Sequence, residues 1–245
     1  DVAPSRGLGD VYKRQKQGWR EAKVSRLIYV RGMNMIYELI ETGRASALFA
    51  GWQDSVVWSA LQGVMGKIYV DSLEKLESGA VMLGDFCFLS GKPESEVISG
   101  ALANSASEEV ILVPQNDDWA QMIVECYGEK AEKAIRYAIK KEPGIFDLKQ
   151  LQKVAQSLPG EYEMRLIDQE LFEICRDTQW SKDLTANYES YSQYKEYGLG
   201  VCILTGGEVV AGISSYSGYG RRSDENLGCH GGIEIEVVTR EDYRR

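Results

Sequence analysis

Histidine is scarce in this chain of 245 residues, and its cysteines are few and dispersed. The single histidine, His230, excludes any metal site that needs two or more imidazole ligands. The five cysteines are odd in number and contain no Cys-x-x-Cys pair, a usage typical of a reduced protein. We therefore expect no metal site and a cytoplasmic location.

Long apolar runs and an excess of positive charge are also missing. No apolar run approaches the roughly 18 residues that a membrane-spanning helix needs, and no signal peptide opens the chain. Acidic residues outnumber basic ones by 37 to 28, which gives a formal net charge of −9. Proteins that bind nucleic acid need a basic surface to neutralise the phosphates. We therefore expect neither a membrane span nor a nucleic-acid partner.

The composition is otherwise that of a globular protein, and the length fits one large domain or two modest ones. Residues 10–15, Asp-Val-Tyr-Lys-Arg-Gln, match the translation of a transposon end used in sequencing libraries. We interpret residues 1–15 as an artefactual or disordered leader; a genuine flexible N-terminus is the alternative. Because the pattern restarts at Pro159-Gly160, we predict an N-terminal α/β domain over 16–158 and a second domain over 159–245.

Apolar periodicity predicts the elements of the first domain. Helical spacing favours one helix over 33–49 and a helix or buried segment over 53–64, and a near-continuous apolar run favours one buried strand over 80–89. The remaining predictions are strands over 66–71, 109–113 and 135–139, a helix over 94–103, and helices capped by Asn116 and Asp147.

The sequence pattern predicts a strand, two helices, a hairpin and a strand in the second domain. Alternation over 161–166 predicts a half-buried strand, and helices are predicted over 169–177 and 181–197. A Gly206-Gly207 turn predicts a hairpin over 201–215. After a glycine-rich loop, apolar residues alternate with two carboxylates in the last predicted strand, 233–237.

This order of elements resembles the first half of the Gcn5-related N-acetyltransferase (GNAT) fold. The closing residues 236–245 resemble the lead into the family's acetyl-CoA motif, in which Q/R-x-x-G-x-G/A opens a helix; Arg244 occupies the Q/R position. Other stretches are similar to the branch that includes the zwittermicin A resistance acetyltransferases: SALQGVMG (59–66), LGDFCF (83–88), VPQN (113–116), WSKDL (180–184) and GIEIE (232–236). The loop 217–231 is longer than that pattern leads us to expect.

The resemblance implies an α/β (α+β) fold with a mixed, mainly antiparallel sheet, truncated at its C-terminus. It also implies transfer of acetyl from acetyl-CoA to a primary amine of a small molecule. In that fold the backbone of the fourth strand aligns the pantetheine arm, here Val237, Val238 and Thr239, and Arg244 and Arg245 begin the phosphate loop. We expect the truncated chain to be inactive. A non-catalytic α/β ligand-binding or scaffold module is the alternative, and the acceptor and the oligomeric state stay open.

Glu234 and Glu236 are the candidates for the general base that removes a proton from the amine. They lie about 7 Å apart on one strand face, and neighbouring carboxylates raise each other's pKa toward neutrality. Alternatively both line a solvated face, and the base acts through water or is not needed.

A repeat within the chain is a further hypothesis. Residues 81–84 are similar to 209–212, and residues 111–119 are similar to 235–243. We therefore interpret the N-terminal half as a degenerate GNAT-like copy that scaffolds the site or shapes the acceptor cleft. Three other features receive structural interpretations: Cys87 as a buried thiol without a histidine partner, His230 as a surface residue, and the tyrosines 188, 191, 194 and 197 as core packing rather than a cleft lining.

Overall fold

The computed structural model describes residues 36–107, 109–135 and 146–220 in full, and the backbone of 25–28 and 233–239. Within these residues, ten strands form two sheets. The first sheet has the order β1 (Ser25–Ile28), β2 (Ile36–Leu39), β3 (Lys67–Val70), β4 (Ser78–Leu83), β5 (Phe86–Gly91), β6 (Ile111–Pro114). The second has the order β10 (Ile233–Thr239), β9 (Glu208–Gly218), β8 (Gly200–Thr205), β7 (Tyr162–Leu166). Every pair is antiparallel except β5–β6, so the predicted mainly antiparallel α/β fold is confirmed.

Six α-helices connect these strands within the described ranges. They are α1 (Ser55–Leu61), α2 (Ser95–Leu102), α3 (Asp117–Tyr127), α4 (Leu148–Gln156), α5 (Gln169–Asp177) and α6 (Tyr191–Tyr197), with 3-10 turns at Thr42–Ser46, Gly128–Lys130 and Lys182–Leu184. The two predicted caps are confirmed: Asn116 accepts a hydrogen bond from the Trp119 N–H, and Asp147 accepts from Lys149 and Gln150. Each cap satisfies backbone donors that a helix start leaves unpaired.

Two predictions in the first half are wrong. The helix expected over 33–49 is replaced, where the structure describes it, by β2 and a 3-10 turn. Ile36 and Leu39 are buried with helix-like spacing, but pairing of β2 with β3 decides the local structure. The single strand expected over 80–89 is the β4–β5 hairpin, turning at Gly84, whose φ of 57° suits glycine. Both strands are buried, so apolar periodicity does not separate them, and only Gly84-Asp85 marks the turn in the sequence.

Two predictions in the second half also need correction. The helix expected over 181–197 is split into the Lys182–Leu184 turn and α6, which Ser190 caps by accepting from the Gln193 N–H. The strand expected to be half-buried over 161–166 forms as β7 at a sheet edge, but Met164 and Leu166 are 48% and 65% exposed. The predicted leader, residues 1–15, lies outside the described residues, and so do residues 136–139 of the strand predicted over 135–139.

The two halves share one order of elements. In the first, β2 is followed by helical segments and then by the antiparallel strands β3, β4 and β5; in the second, β7 is followed by helical segments and then by β8, β9 and β10. This agrees with the repeat hypothesis but corrects its alignment. Strand β6 runs parallel to β5, whereas β10 runs antiparallel to β9. The counterpart of β10 in the first half is therefore β5, and the predicted correspondence between 111–119 and 235–243 is wrong.

The core joins the two sheets. One cluster of buried side chains draws on both halves and includes Val56, Ile68, Phe172, Leu184 and Cys202. A second cluster, with Tyr69, Ile98 and Trp119, covers the other face of the first sheet. Alternate residues of β4 enter alternate clusters, as the two-residue period of a strand requires. Burial on both faces therefore fixes the register of the strands in the first sheet. The shared cluster fixes the position of the first sheet relative to the second.

Candidate functional site

The predicted site residues that the structure describes lie on β10. Glu234 pairs in register with Ser217, and Glu236 pairs with Ser214. Val237, Val238 and Thr239 pair with Ile213, Gly212 and Ala211. Within the described part of the chain, β10 ends the four-stranded sheet, so one edge of its backbone has no strand beside it. Arg244, Arg245, His230 and most of the loop 217–231 lie outside the described residues.

A bulge in β9 sits directly beside Glu234. Ser217 pairs with Glu234 and Ser215 pairs with Ile235, so Tyr216 between them has no partner on β10. Bulges of this kind redirect a side chain and recur next to active sites. Here the bulged residue is an aromatic whose ring packs edge-on against Phe86 of the first sheet, with centroids 5.3 Å apart. The bulge therefore joins the predicted site strand to the other half of the chain.

The hydroxyl of Tyr216 is held at the β4–β5 turn. It donates to Oδ1 of Asp85 at 2.5 Å, lies 2.9 Å from the Leu83 carbonyl oxygen, and accepts from the Asp85 N–H at 3.1 Å. Burial raises the pKa of Tyr216, and the hydrogen bond to Asp85 raises it further. Tyr216 is therefore neutral at physiological pH, and its hydroxyl orients the Asp85 carboxylate.

Two buried tyrosines bind serine hydroxyls of the same strand. The Ser214 hydroxyl lies 2.9 Å from that of Tyr194, and the Ser215 hydroxyl lies 2.6 Å from that of Tyr188. Burial raises the pKa of Tyr188 to about 12 and also raises the pKa of Tyr194, so both phenols are neutral. The core interpretation is confirmed for these two residues, because each is at most 2% exposed. Their hydrogen bonds hold β9 where it pairs with β10.

Helix α1 fastens the end of β9 to the first half. The hydroxyls of Ser55 and Ser217 lie 2.8 Å apart, and the Ser59 hydroxyl donates to the Gly218 carbonyl at 2.7 Å. Just beyond the strand, the Gly220 N–H donates to Oε1 of Gln62 at 3.0 Å. The position opposite Glu234 is therefore set by residues from both halves.

An open cavity of about 770 Å³ lies where the two halves meet. The first half contributes residues at the start of β3, the β4–β5 turn and the segment after α2; the second contributes the segment 182–189 and Tyr216. Asn187 donates from its amide to the Tyr216 carbonyl at 3.1 Å. The volume is in the range of small-molecule sites.

Sequence reasoning did not single out Asp85, Asn187 or Tyr216 as site residues. A signal was available in part, because Gly84-Asp85 between two apolar β segments is a typical two-residue turn. The bulge that directs Tyr216 to this turn depends on how β9 pairs with β10, which the residue pattern does not show.

The cysteines do not form a reactive centre in the described residues. Cys87 is fully buried, and burial raises the pKa of its thiol to about 12, which confirms the interpretation as a structural thiol. Cys175 and Cys202 are buried with their sulfurs 3.7 Å apart, and Cys126 is exposed. No three metal-binding side chains cluster among the residues described.

Alkylation of the native protein should reveal this difference. We expect iodoacetamide at neutral pH to modify Cys126, while Cys87, Cys175 and Cys202 react only after unfolding, because burial blocks the reagent. Mass spectrometry of tryptic peptides, with and without denaturant, measures the modified fraction at each position. Native labelling of Cys87 as fast as that of Cys126 would show that β5 is not buried as described.

The described helices do not include one with the length and apolar character to cross a membrane.

Comparisons with known proteins agree with the order of elements. A family model described as GNAT acetyltransferase matches residues 46–245. The chain is also similar to a solved structure, a GCN5-related N-acetyltransferase-like protein from Streptococcus suis 89/1591. The TM-score is 0.71 at 40% sequence identity, over 83% of this chain and 77% of that one. A search of curated proteins finds no match.

Proposed function

Because the chain belongs to the GNAT acetyltransferase family, we propose that it is an acetyl-CoA-dependent N-acetyltransferase acting on a primary amine of a small molecule in the cytoplasm. The observation that carries the proposal is β10, an edge strand that bears both candidate carboxylates inside the region matched by the family. The zwittermicin A resistance branch remains our proposal for its place within the family.

The backbone around β10 suits acetyl-CoA better than the equivalent strand of the first half. Strand β5 has β4 on one edge and β6 on the other, and at its end the N–H and carbonyl of Gly91 bind Gln115 and Trp119. In the described residues β10 pairs only with β9. Its second edge offers N–H and carbonyl groups that can pair with the amides of a pantetheine arm. We assign that contact to Val237, Val238 and Thr239.

We assign the phosphates of acetyl-CoA to a different set of groups. Arg244 and Arg245 follow β10 and carry guanidinium groups, which bind phosphate through charge-assisted hydrogen bonds. We assign these two arginines to the start of the phosphate-binding loop. When bound, acetyl-CoA supplies the acetyl group as a thioester.

Glu234 and Glu236 are assigned to the acceptor amine. An ammonium group cannot attack the thioester carbon, so a carboxylate that removes its proton, directly or through one water, makes it nucleophilic. Two carboxylates two positions apart on one strand raise each other's pKa, which suits a base near neutral pH. Whichever of the two is the base, the other carboxylate then binds the ammonium group of the acceptor.

We also propose that Arg244 and Arg245 contribute a large part of the affinity for acetyl-CoA. At about 1.5–3 kcal/mol for each charge-assisted hydrogen bond, losing two or three weakens binding about a hundredfold or more.

Calorimetric titration with acetyl-CoA tests this proposal. We expect the protein to bind acetyl-CoA, and the variant that carries both Arg244→Gln and Arg245→Gln to bind it about a hundredfold or more weakly. A folded protein that does not bind acetyl-CoA would instead support the non-catalytic ligand-binding or scaffold module.

A further inference from the structure

We propose that the free edge of β7, together with the apolar side of α4, is a surface through which two copies of this chain pair about a two-fold axis. Strand β7 ends the four-stranded sheet opposite β10, and within the described residues it pairs only with β8. The uncovered edge of a strand can pair with the edge strand of another chain, and proteins usually cover it. A partner at this edge leaves β10 free at the other end of the sheet.

The backbone of β7 directs alternate hydrogen-bonding groups to the free edge. The Ile167 N–H donates to the Gly200 carbonyl at 3.0 Å, just beyond the strand, so these two residues form a hydrogen-bonded pair. Antiparallel ladders alternate between hydrogen-bonded and non-hydrogen-bonded pairs. Leu166 and Met164 therefore form non-hydrogen-bonded pairs with β8. Their N–H and carbonyl groups point away from β8, where a second strand can bind them.

The charges of β7 select one register for a second copy. Outward-pointing residues must pair with each other, so a two-fold axis that keeps most of the strand paired passes at Glu163, Met164 or Arg165. An axis at Glu163 or Arg165 places like charges directly opposite each other, which destabilises a sheet. With the axis at Met164, Glu163 lies opposite the partner's Arg165. The edge is therefore complementary to itself, as a two-fold interface requires.

Arg165 is oriented before a partner arrives. Its Nη2 donates to Oδ2 of Asp168 at 2.9 Å and to Oε2 of Glu170 at 3.2 Å. The guanidinium carries five N–H donors in a planar fork, so it keeps donors for the partner's Glu163. The side chains of Asp168 and Glu170 are 48% and 69% exposed, so solvent screens their charges. An oriented side chain loses less conformational entropy on pairing.

The same register brings apolar side chains of β7 together. Each Tyr162 ring lies opposite the partner's Leu166, and the two Met164 side chains meet at the axis. All three residues are exposed in the single chain. Cross-strand pairs of aromatic and apolar side chains stabilise a sheet. The proposed dimer therefore covers apolar surface that one copy leaves open.

Helix α4 supplies further apolar area beside this edge. Leu148, Leu151 and Val154 are 70%, 50% and 58% exposed, and their spacing places them on one side of the helix. The short connector 157–161 joins α4 to β7. A stable interface buries about 800 Å² on each partner, more than the edge of a five-residue strand provides. We therefore assign the apolar side of α4 to the same interface.

Cysteines placed on β7 test the register. In a chain with Cys126→Ser and Cys229→Ser, Met164→Cys puts two thiols at the axis, where paired Cα atoms are about 5.5 Å apart, a separation that a disulfide spans. We expect the thiol oxidant diamide to convert this variant to a covalent dimer. Leu166→Cys is the matched control, because its two copies lie about 13 Å apart along the strands and should not cross-link.

Charge reversal tests the pairing without a covalent bond. We expect sedimentation equilibrium to show a dimer of the unaltered chain. Glu163→Arg and Arg165→Glu each place like charges opposite each other, so each should weaken the dimer about tenfold or more. An equal mixture of these two variants restores both opposite-charge pairs and should recover the dimer. Glu129→Arg is the control, the same reversal on an exposed turn of the first half.

A pair of variants on α4 tests the contribution of the helix. Leu151→Asp places a charge on the apolar side and should weaken the dimer about tenfold. Gln150→Asp adds the same charge on another side of the helix and should leave the dimer unchanged. Circular dichroism checks that each variant folds. If Arg165→Glu does not fold, Glu163→Arg and the α4 variants still test the interface.

A chain that stays monomeric at its highest soluble concentration overturns the inference. Cross-linking of Leu166→Cys in preference to Met164→Cys overturns the register. A dimer that both Glu163→Arg and Leu151→Asp leave unchanged forms through another surface and also overturns it. Binding of a monomeric chain to vesicles of phosphatidylcholine and phosphatidylserine, lost in Leu151→Asp, would assign the helix to a membrane surface instead. None of these outcomes depends on whether the protein transfers acetyl groups.

Discussion

Replacing Glu234 and Glu236 together by glutamine is expected to lower kcat for acetyl transfer about a hundredfold or more. General-base catalysis contributes about 10²- to 10⁴-fold, and glutamine keeps the size of the side chain while removing its basicity. Since both residues lie on β10, and Ser217 and Ser214 fix the register, the substitutions should leave the strand in place. Coupled detection of the free CoA thiol measures the rate.

The single variants identify which carboxylate is the base. Loss of the base should lower kcat and remove the acidic limb of the pH–rate profile, whereas loss of its neighbour should only shift that limb to lower pH. Glu163→Gln on exposed β7 removes the same charge far along the sheet and should leave the profile unchanged. A double variant with unaltered kcat would show that neither residue is the base and that both line a solvated face.

Replacing Trp119 by alanine is expected to lower the free energy of unfolding by about 3–5 kcal/mol. Trp119 has no solvent exposure, and its indole N–H donates to the Gly91 carbonyl at 2.9 Å. The substitution leaves a cavity between α3 and the first sheet and an unpaired carbonyl at the end of β5. For a domain stabilised by about 5–15 kcal/mol, this is a large share of the total. Chemical denaturation followed by circular dichroism measures the change.

Trp119→Phe serves as the matched variant, since it keeps most of the apolar volume and loses the indole N–H. Its cost should be clearly smaller than that of alanine, because only the hydrogen bond and part of the packing are lost. Equal and small effects of both substitutions would contradict the position of Trp119 in the second core cluster.

Much of the fold follows from local signals in the sequence. Asn116 and Asp147 cap their helices as their side-chain chemistry predicts, and Gly206-Gly207 forms the turn between β8 and β9. The failures arise where pairing with distant residues outweighs local spacing. Ile36 and Leu39 have helical spacing yet lie in a strand because β3 is there to pair with it.

The site was less predictable than the fold. The placement of Glu234 and Glu236 in a strand follows from alternation, and the structure agrees. The cavity wall does not follow from any local pattern, because Asp85 and Tyr216 meet only through a bulge and are separated by 131 residues. The hydrogen bonds between the two halves are likewise made by isolated serines, Ser55, Ser59 and Ser217. Their roles depend on tertiary contact alone.

Transfer of an isotopically labelled acetyl group from acetyl-CoA tests the central claim most directly. The protein is incubated with labelled acetyl-CoA and a set of small primary amines, and the products are identified by mass spectrometry. The account predicts label on the amine nitrogen in amounts equal to the CoA released, with no label on the matching alcohols. A folded protein that binds acetyl-CoA but labels no amine would contradict it.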